Sequence, residues 1–228
     1  MVEHAPAKAS GPTGLRERKK RETRQHISNT ATALFLEHGF DQVRVADVAA
    51  ACDVSEKTVY NYFANKESLV FDREPAMAAL IRETLGPDGA GRSPAEAIVE
   101  VICKEIELLF AEREGNDSDF QRVSRFLDMI EESPSLRTAQ RDLMDHLAQV
   151  AASAMAHRAG LDPLDPEPQA AASALIGIWS VSMRALRREA SNADGPSGAR
   201  TAVLADTRRA ARLIGAGLAS FATTARDQ

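Results

Sequence analysis

A chain of 228 residues, 44% of them hydrophobic, has material for one long domain or two small ones around a real apolar core. No apolar run approaches the roughly 20 residues that span a bilayer, and residues 1–14 lack the apolar stretch of a secretory leader, so a cytoplasmic location is expected. Two cysteines, Cys52 and Cys103, make neither a disulfide framework nor a C-x-x-C zinc pair, and both are expected as reduced thiols.

The formal net charge of −5 would argue against a nucleic-acid partner if it were evenly spread. It is not. The stretch from Arg16 to Arg24 holds six basic and two acidic side chains, a local +4 that leaves −9 for everything else. A cationic arm on an acidic body is the asymmetry expected when one end meets phosphate.

Residues 1–14 are rich in Ala, Pro, Ser and Gly and are expected to form a disordered tail. The first helix is predicted over Leu15 to His38. Ile27, Ala31, Leu34 and Phe35 fall at i, i+4, i+7 and i+8 and make one apolar stripe. Gly39 supplies a left-handed stop. A short second helix, Val45 to Ala51, keeps the same periodicity through Val45, Val48, Ala49 and Cys52. The turn that follows puts Asp53 where a positive φ is expected, which Asp tolerates better than most residues. Ser55 is placed to cap the third helix, Glu56 to Phe63, whose Val59 and Phe63 point inward. Asn65 is the expected cap of a fourth helix from Lys66 to Leu85.

Two short helices joined by a tight turn form a helix-turn-helix, a unit that lays its second helix in the DNA major groove. Opposite Val59 and Phe63 stand Lys57, Thr58 and Asn61, with Tyr60 and Tyr62 to the sides. Asn suits adenine, Lys suits guanine, and Thr can meet a thymine methyl. The same spacing also fits a helical hairpin with its aromatics packed inside.

The ordered runs ALFLEHGF (33–40), VADVAAACDVS (45–55), TVYNYF (58–63) and NKESL (65–69) resemble the N-terminal domain of the TetR family. The resemblance covers about a quarter of the chain. It implies an all-α dimer with a helix-turn-helix DNA-binding domain (15–71) and a helical ligand-binding and dimerisation domain (72–228), about nine helices in all. It further implies a repressor released from a palindromic operator by a small molecule. Thr58, Tyr60 and Lys66 match family positions that hold the DNA backbone. Lys57, Asn61 and Tyr62 match variable positions that read bases or pack against the groove. The candidate DNA contacts are therefore Arg24, Arg44, Lys57, Thr58, Tyr60, Asn61, Tyr62 and Lys66. Arg44 stands where the family often has a capping Thr, and Asp53 where it usually has Gly.

Beyond residue 85, breaker-rich segments at 86–94, 162–168 and 191–198 separate five further predicted helices, at about 94–114, 117–131, 134–159, 167–190 and 199–224. Ser93-Pro94 and Ser133-Pro134 read as caps followed by a first-turn proline. Helix 94–114 is apolar nearly all round and so central, with Glu105 interrupting its apolar face. A buried carboxylate needs a partner, either a ligand or an arginine such as Arg122 or Arg125, unless Glu105 is simply exposed. Ile102, Glu105, Phe126, Met129, Met144, Trp179 and Met183 are candidate pocket residues, the Met and aromatic members being equally at home in a helical core. The last two helices carry long stripes, from which Leu175, Ile178, Ala211, Ile214, Leu218 and Phe221 are the expected dimer contacts. The alternative is that these stripes close the core of a single subunit.

Five His residues show no paired metal spacing, and neither G-x-S-x-G nor a phosphate-binding glycine loop occurs, so no metal, cofactor or catalytic residue is expected. The alternative to a ligand-released repressor is an activator or constitutive regulator without an effector; an enzyme is the remote one. The charge distribution makes one expectation measurable. DNA affinity should fall steeply with salt as phosphate contacts release counterions, and a flat salt titration would contradict the cationic arm and head.

Overall fold

The computed structural model describes residues 12–89, 91–111, 117–190 and 195–217, and among them every regular element is a helix. The chain divides into two units, residues 1–72 and 73–228.

The first unit holds α1 (Pro12–His38), α2 (Val45–Ala51) and α3 (Glu56–Tyr62), then a single 3-10 turn, Glu67–Leu69. α1 begins at Pro12, ahead of the Leu15 expected from sequence, because a proline is tolerated in a first helical turn. The rest of the expected tail, residues 1–11, lies outside the described residues.

Ile27, Ala31 and Phe35 on α1, Val48 of α2, and Val59 and Phe63 of the third segment are all buried, at or below 2% exposure. Burying a Phe or Ile side chain is worth about 1.5–3 kcal/mol, so each of these contributes appreciably to so small a unit. Phe35 and Phe40 meet edge to face with centroids 5.0 Å apart, a favoured aromatic geometry. The chain can turn to bring Phe40 back because Gly39 sits at φ +85°.

The expected fourth helix from Lys66 does not run through. Asn65 caps only the 3-10 turn, its Oδ1 accepting from the Ser68 amide at 2.8 Å. The chain then breaks, and α4 starts afresh at Glu74 (Glu74–Leu85). Pro75 explains this: it has no N–H, and inside a continuous helix its ring would strike the carbonyl of Phe71.

The second unit continues with a 3-10 turn at Pro87–Gly89, then α5 (Pro94–Ala111), α6 (Asp117–Glu132), α7 (Pro134–Ala159), α8 (Pro166–Ala190) and α9 (Gly195–Gly217). α9 starts four residues before the expected 199, with Pro196 in its first turn. α7 ends at Gly160, which adopts φ +69°. The core runs through α4, α5, α7, α8 and α9, with Val123 and Leu127 from α6. α5 is central, as its nearly continuous apolar character requires: Ala95, Ala97, Ile98, Val101, Ile102 and Ile106 are all buried.

Asp53 carries the one positive φ of a non-glycine residue among the described residues, +54°. Asp53→Val should cost about 1–2 kcal/mol, because a β-branched side chain crowds the backbone there, while Asp53→Gly should be close to neutral. Thermal or denaturant unfolding measures both. Equal stability of the two variants would refute the strain argument.

Candidate nucleic-acid interface

α3 has seven residues, two turns, and a helix that short has no stability of its own in water. Its two ends are held. At the start, Ser55 Oγ accepts from the Thr58 amide at 3.1 Å and lies 2.9 Å from the Thr58 hydroxyl, the N-cap expected from sequence. At the end, the guanidinium of Arg24 donates to the Tyr62 carbonyl, one of the carbonyls a helix end leaves unpaired. It also donates to the Asp72 carbonyl at 3.2 Å and lies over the Phe63 ring, 4.3 Å from its centroid. A cation at a helix C-terminus is also favoured by the helix dipole.

With its ends held and Val59 and Phe63 buried, α3 presents a fixed outer face. Lys57 and Asn61 are exposed on the side opposite Val59, and Tyr60 beside them is 52% exposed. Thr58 and Tyr62 are half-buried flanks. The face offers an ammonium, a carboxamide and a phenol within two turns, groups that donate to phosphates or pair with base edges.

The other candidates are placed differently. Arg24, expected to contact DNA, is turned inward onto the Tyr62 and Asp72 carbonyls and Phe63, so the structure gives it a positioning task inside the head. Arg44 is exposed and paired with Asp47, Nη2 to Oδ1 at 2.9 Å. The capping threonine missing at this position is replaced from the other side. Asp47, at the third position of α2, reaches back to accept the Arg44 amide at 2.8 Å. That contact and the Arg44 side chain hold the Asp47 carboxyl below the usual carboxylate range, the side chain being the larger cause. The signal was present in the sequence as an acid three residues after the cap.

Lys66 lies with Nζ 4.1 Å from the Phe40 ring centroid. Burial lowers its pKa, and Asp41 and Glu67 oppose that. The aromatic face holds the ammonium beside the 3-10 turn.

In the second unit, Glu105 is 7% exposed and makes a two-pronged ion pair with Arg73, Nε to Oε2 and Nη2 to Oε1 both at 2.7 Å. The partner is neither Arg122 nor Arg125, and no local pattern announces it, since the two residues are 32 apart in the chain. Its charge is met by protein, so the reading of Glu105 as a ligand group loses its basis. Ile102, Met144, Trp179 and Met183 do come together in or against one apolar cluster, and Phe126 and Met129 on α6 are not part of it.

Three of the expected dimer contacts, Leu175, Ile178 and Ala211, are turned into the subunit instead. Leu175 and Ile178 are fully buried within the subunit, and Ala211 is 7% exposed. They face the core because α8 and α9 pack on each other within one chain, with Ser182 and Thr207 hydroxyls 2.7 Å apart between them. Ile214 is half-buried, and Leu218 and Phe221 lie outside the described residues. Among the described residues of α9, the exposed large apolar side chain is Leu213, 82% exposed. Cys52 is buried; Cys103 is half-buried, and burial raises its thiol pKa, against a reactive thiolate.

Two family models match. One, described as bacterial regulatory proteins of the tetR family, covers residues 27–72. The other, described as the MftR C-terminal domain, covers residues 96–219, more than half of the chain. A Mycobacterium tuberculosis protein described as a mycofactocin biosynthesis transcriptional regulator, MftR, is 25% identical over 71% of this chain and 78% of its own length. TcmR of Streptomyces glaucescens, described as an HTH-type transcriptional regulator, is 27% identical over 67% of each chain. Among solved structures, the SmeT–triclosan complex shares the fold with TM-score 0.55 and 17% identity, over 86% of this chain and 91% of SmeT. Bacillus subtilis FadR with stearoyl-CoA shares it with TM-score 0.51 and 18% identity, over 85% of this chain and 98% of FadR.

The Arg73–Glu105 pair yields a stability test. Arg73→Ala strands a buried carboxylate; with the arginine itself half exposed, about 1–3 kcal/mol should be lost, below the range for fully buried pairs. Arg73→Ala/Glu105→Leu should recover most of it. A single variant that unfolds at the wild-type denaturant midpoint would show that the pair contributes nothing.

Proposed function

The chain belongs to the TetR family of transcriptional regulators, and from that premise we propose that it is a repressor that holds a palindromic operator as a dimer and releases it when a small molecule binds the second unit. The observation that carries the DNA half is the outer face of α3: Lys57, Tyr60 and Asn61 exposed on a short helix held at both ends. In this reading Lys57 and Asn61 read bases, Thr58, Tyr60 and Lys66 hold phosphates, and Tyr62 packs at the groove edge. Arg44 adds a backbone contact if Asp47 yields it.

The ligand half is supported by the apolar cluster around Ile102, Met144, Trp179 and Met183, and by the ligands carried in the same fold by SmeT and FadR. Met and aromatic side chains re-pack around varied shapes, which suits an apolar or amphipathic effector. Release is a population shift, bounded by the difference in the effector's affinity for the DNA-competent and DNA-incompetent states. A dimer supplies the two recognition helices, one helical turn of DNA apart, that a palindrome needs. Leu213 is the apolar side chain available on α9 for the second copy to cover.

The test is a gel-shift series on an operator selected from random duplex. Lys57→Ala and Asn61→Ala should each lose about 1–3 kcal/mol of discrimination at the base they read. Tyr60→Phe and Lys66→Ala should weaken all duplexes alike. A compound found by thermal shift should release the wild-type complex, and Leu213→Asp should weaken the dimer in sedimentation. Unchanged operator affinity in all four head variants would overturn the reading.

A further inference from the structure

α1 is longer than the head needs. It runs 27 residues from Pro12, yet its first buried side chain is Ile27, and residues 14–22 are exposed throughout. About two and a half turns of helix therefore carry Arg16, Arg18, Lys19, Lys20 and Arg21 with no apolar face to bury. A helix that is polar all round is not held by packing.

Arg24 fixes which side of this extension looks toward α3, because its guanidinium reaches the Tyr62 carbonyl at the end of that helix. At about 100° per residue, Lys20 and Arg21 lie within roughly 60° of Arg24 around the axis, and Arg16 within about 80°. Glu17 shares that side, leaving it a net +2. Arg18 and Lys19 point away, at roughly 120° and 140°, and Arg18 is already paired with Glu22 at 3.4 Å. Along the axis, Lys20 stands about 6 Å and Arg16 about 12 Å beyond Arg24.

We infer that Arg16, Lys20 and Arg21 form a second DNA-binding surface, a phosphate-gripping rail that continues past the end of α3 and holds the duplex flanking the base pairs which α3 reads. The inference rests on the proposed operator binding and specifies where its sequence-independent part resides. Duplex DNA offers a phosphate every 3.4 Å along each strand, so cations 6–12 Å further along meet phosphates about two to four base pairs outward. Such contacts set affinity and register without selecting sequence. Arg24 is the positioning residue that aims the rail.

Because the rail has a near and a far side, charge can be removed equally from either. The full-length variants Arg16→Gln/Lys20→Gln and Arg18→Gln/Lys19→Gln each lose two charges, and Gln keeps helix propensity close to that of Arg and Lys. Dissociation constants are measured across a salt series on operator duplexes with long and with trimmed flanks, and on random duplex. The near-side variant should lower the log–log salt slope by roughly 4, because two charges are lost from each subunit of the dimer. It should weaken operator and random duplex by the same factor, and trimming the flanks should abolish its difference from wild type. The far-side variant should bind like wild type. Equal slopes for the two variants, or a near-side slope equal to wild type, would overturn the rail. If Lys57→Ala and Asn61→Ala still lose operator preference in that event, operator binding by α3 stands without it. If wild type binds no duplex, both readings fall together.

Discussion

The head depends on one guanidinium. Arg24 donates to the last carbonyl of α3 and to the Asp72 carbonyl, and lies over Phe63. α3 is too short to persist alone, and the burial of Val59 and Phe63 does not by itself fix its rotation or its far end. Ser55 holds one end and Arg24 the other. Between these two points the outer face of Lys57, Tyr60 and Asn61 becomes a rigid surface, and rigidity is what base-edge hydrogen bonding demands of its donors. The same arginine relates the cationic start of α1 to that surface.

The second unit solves a different problem, packing five helices around an apolar one, α5, with a carboxylate on it. Arg73 neutralises Glu105 from the first residue of the unit. The other buried polar feature, Ser182 with Thr207, joins α8 to α9. Each hydroxyl also lies within hydrogen-bond range of a carbonyl one turn back, Ile178 or Val203. Two hydroxyl protons thus serve three contacts. Buried polar groups satisfied in this way fix one packing of two helices whose apolar stripes would tolerate several. The Met and aromatic residues of the apolar cluster carry no such polar constraint.

Much of the head was legible from local chemistry. The bounds of α2, the left-handed residues Gly39 and Asp53, and the Ser55 cap all follow from residues within four positions of one another. The break at Phe71–Arg73 was legible too, through Pro75, but the apolar periodicity across it outweighed that one residue. In the second unit the bounds of α7 and the central place of α5 were readable from caps and composition.

The sequence by itself determined which segments are helical, where the turns reverse, and which side of each head helix is apolar, because those depend on φ preference, capping and periodicity over a few residues. Only the tertiary structure decided what long side chains do and which neighbour an apolar stripe meets. Arg24 bears a charge suited to phosphate, yet it is turned onto backbone carbonyls, while Lys66 keeps its ammonium steadied against the Phe40 ring. Glu105 found Arg73 rather than a ligand, and Leu175 and Ile178 meet their own subunit. A stripe of leucine and isoleucine states that something apolar covers it, and a guanidinium states that it seeks acceptors. Neither states which, because the partners lie tens of residues away and only the packed chain brings them within reach.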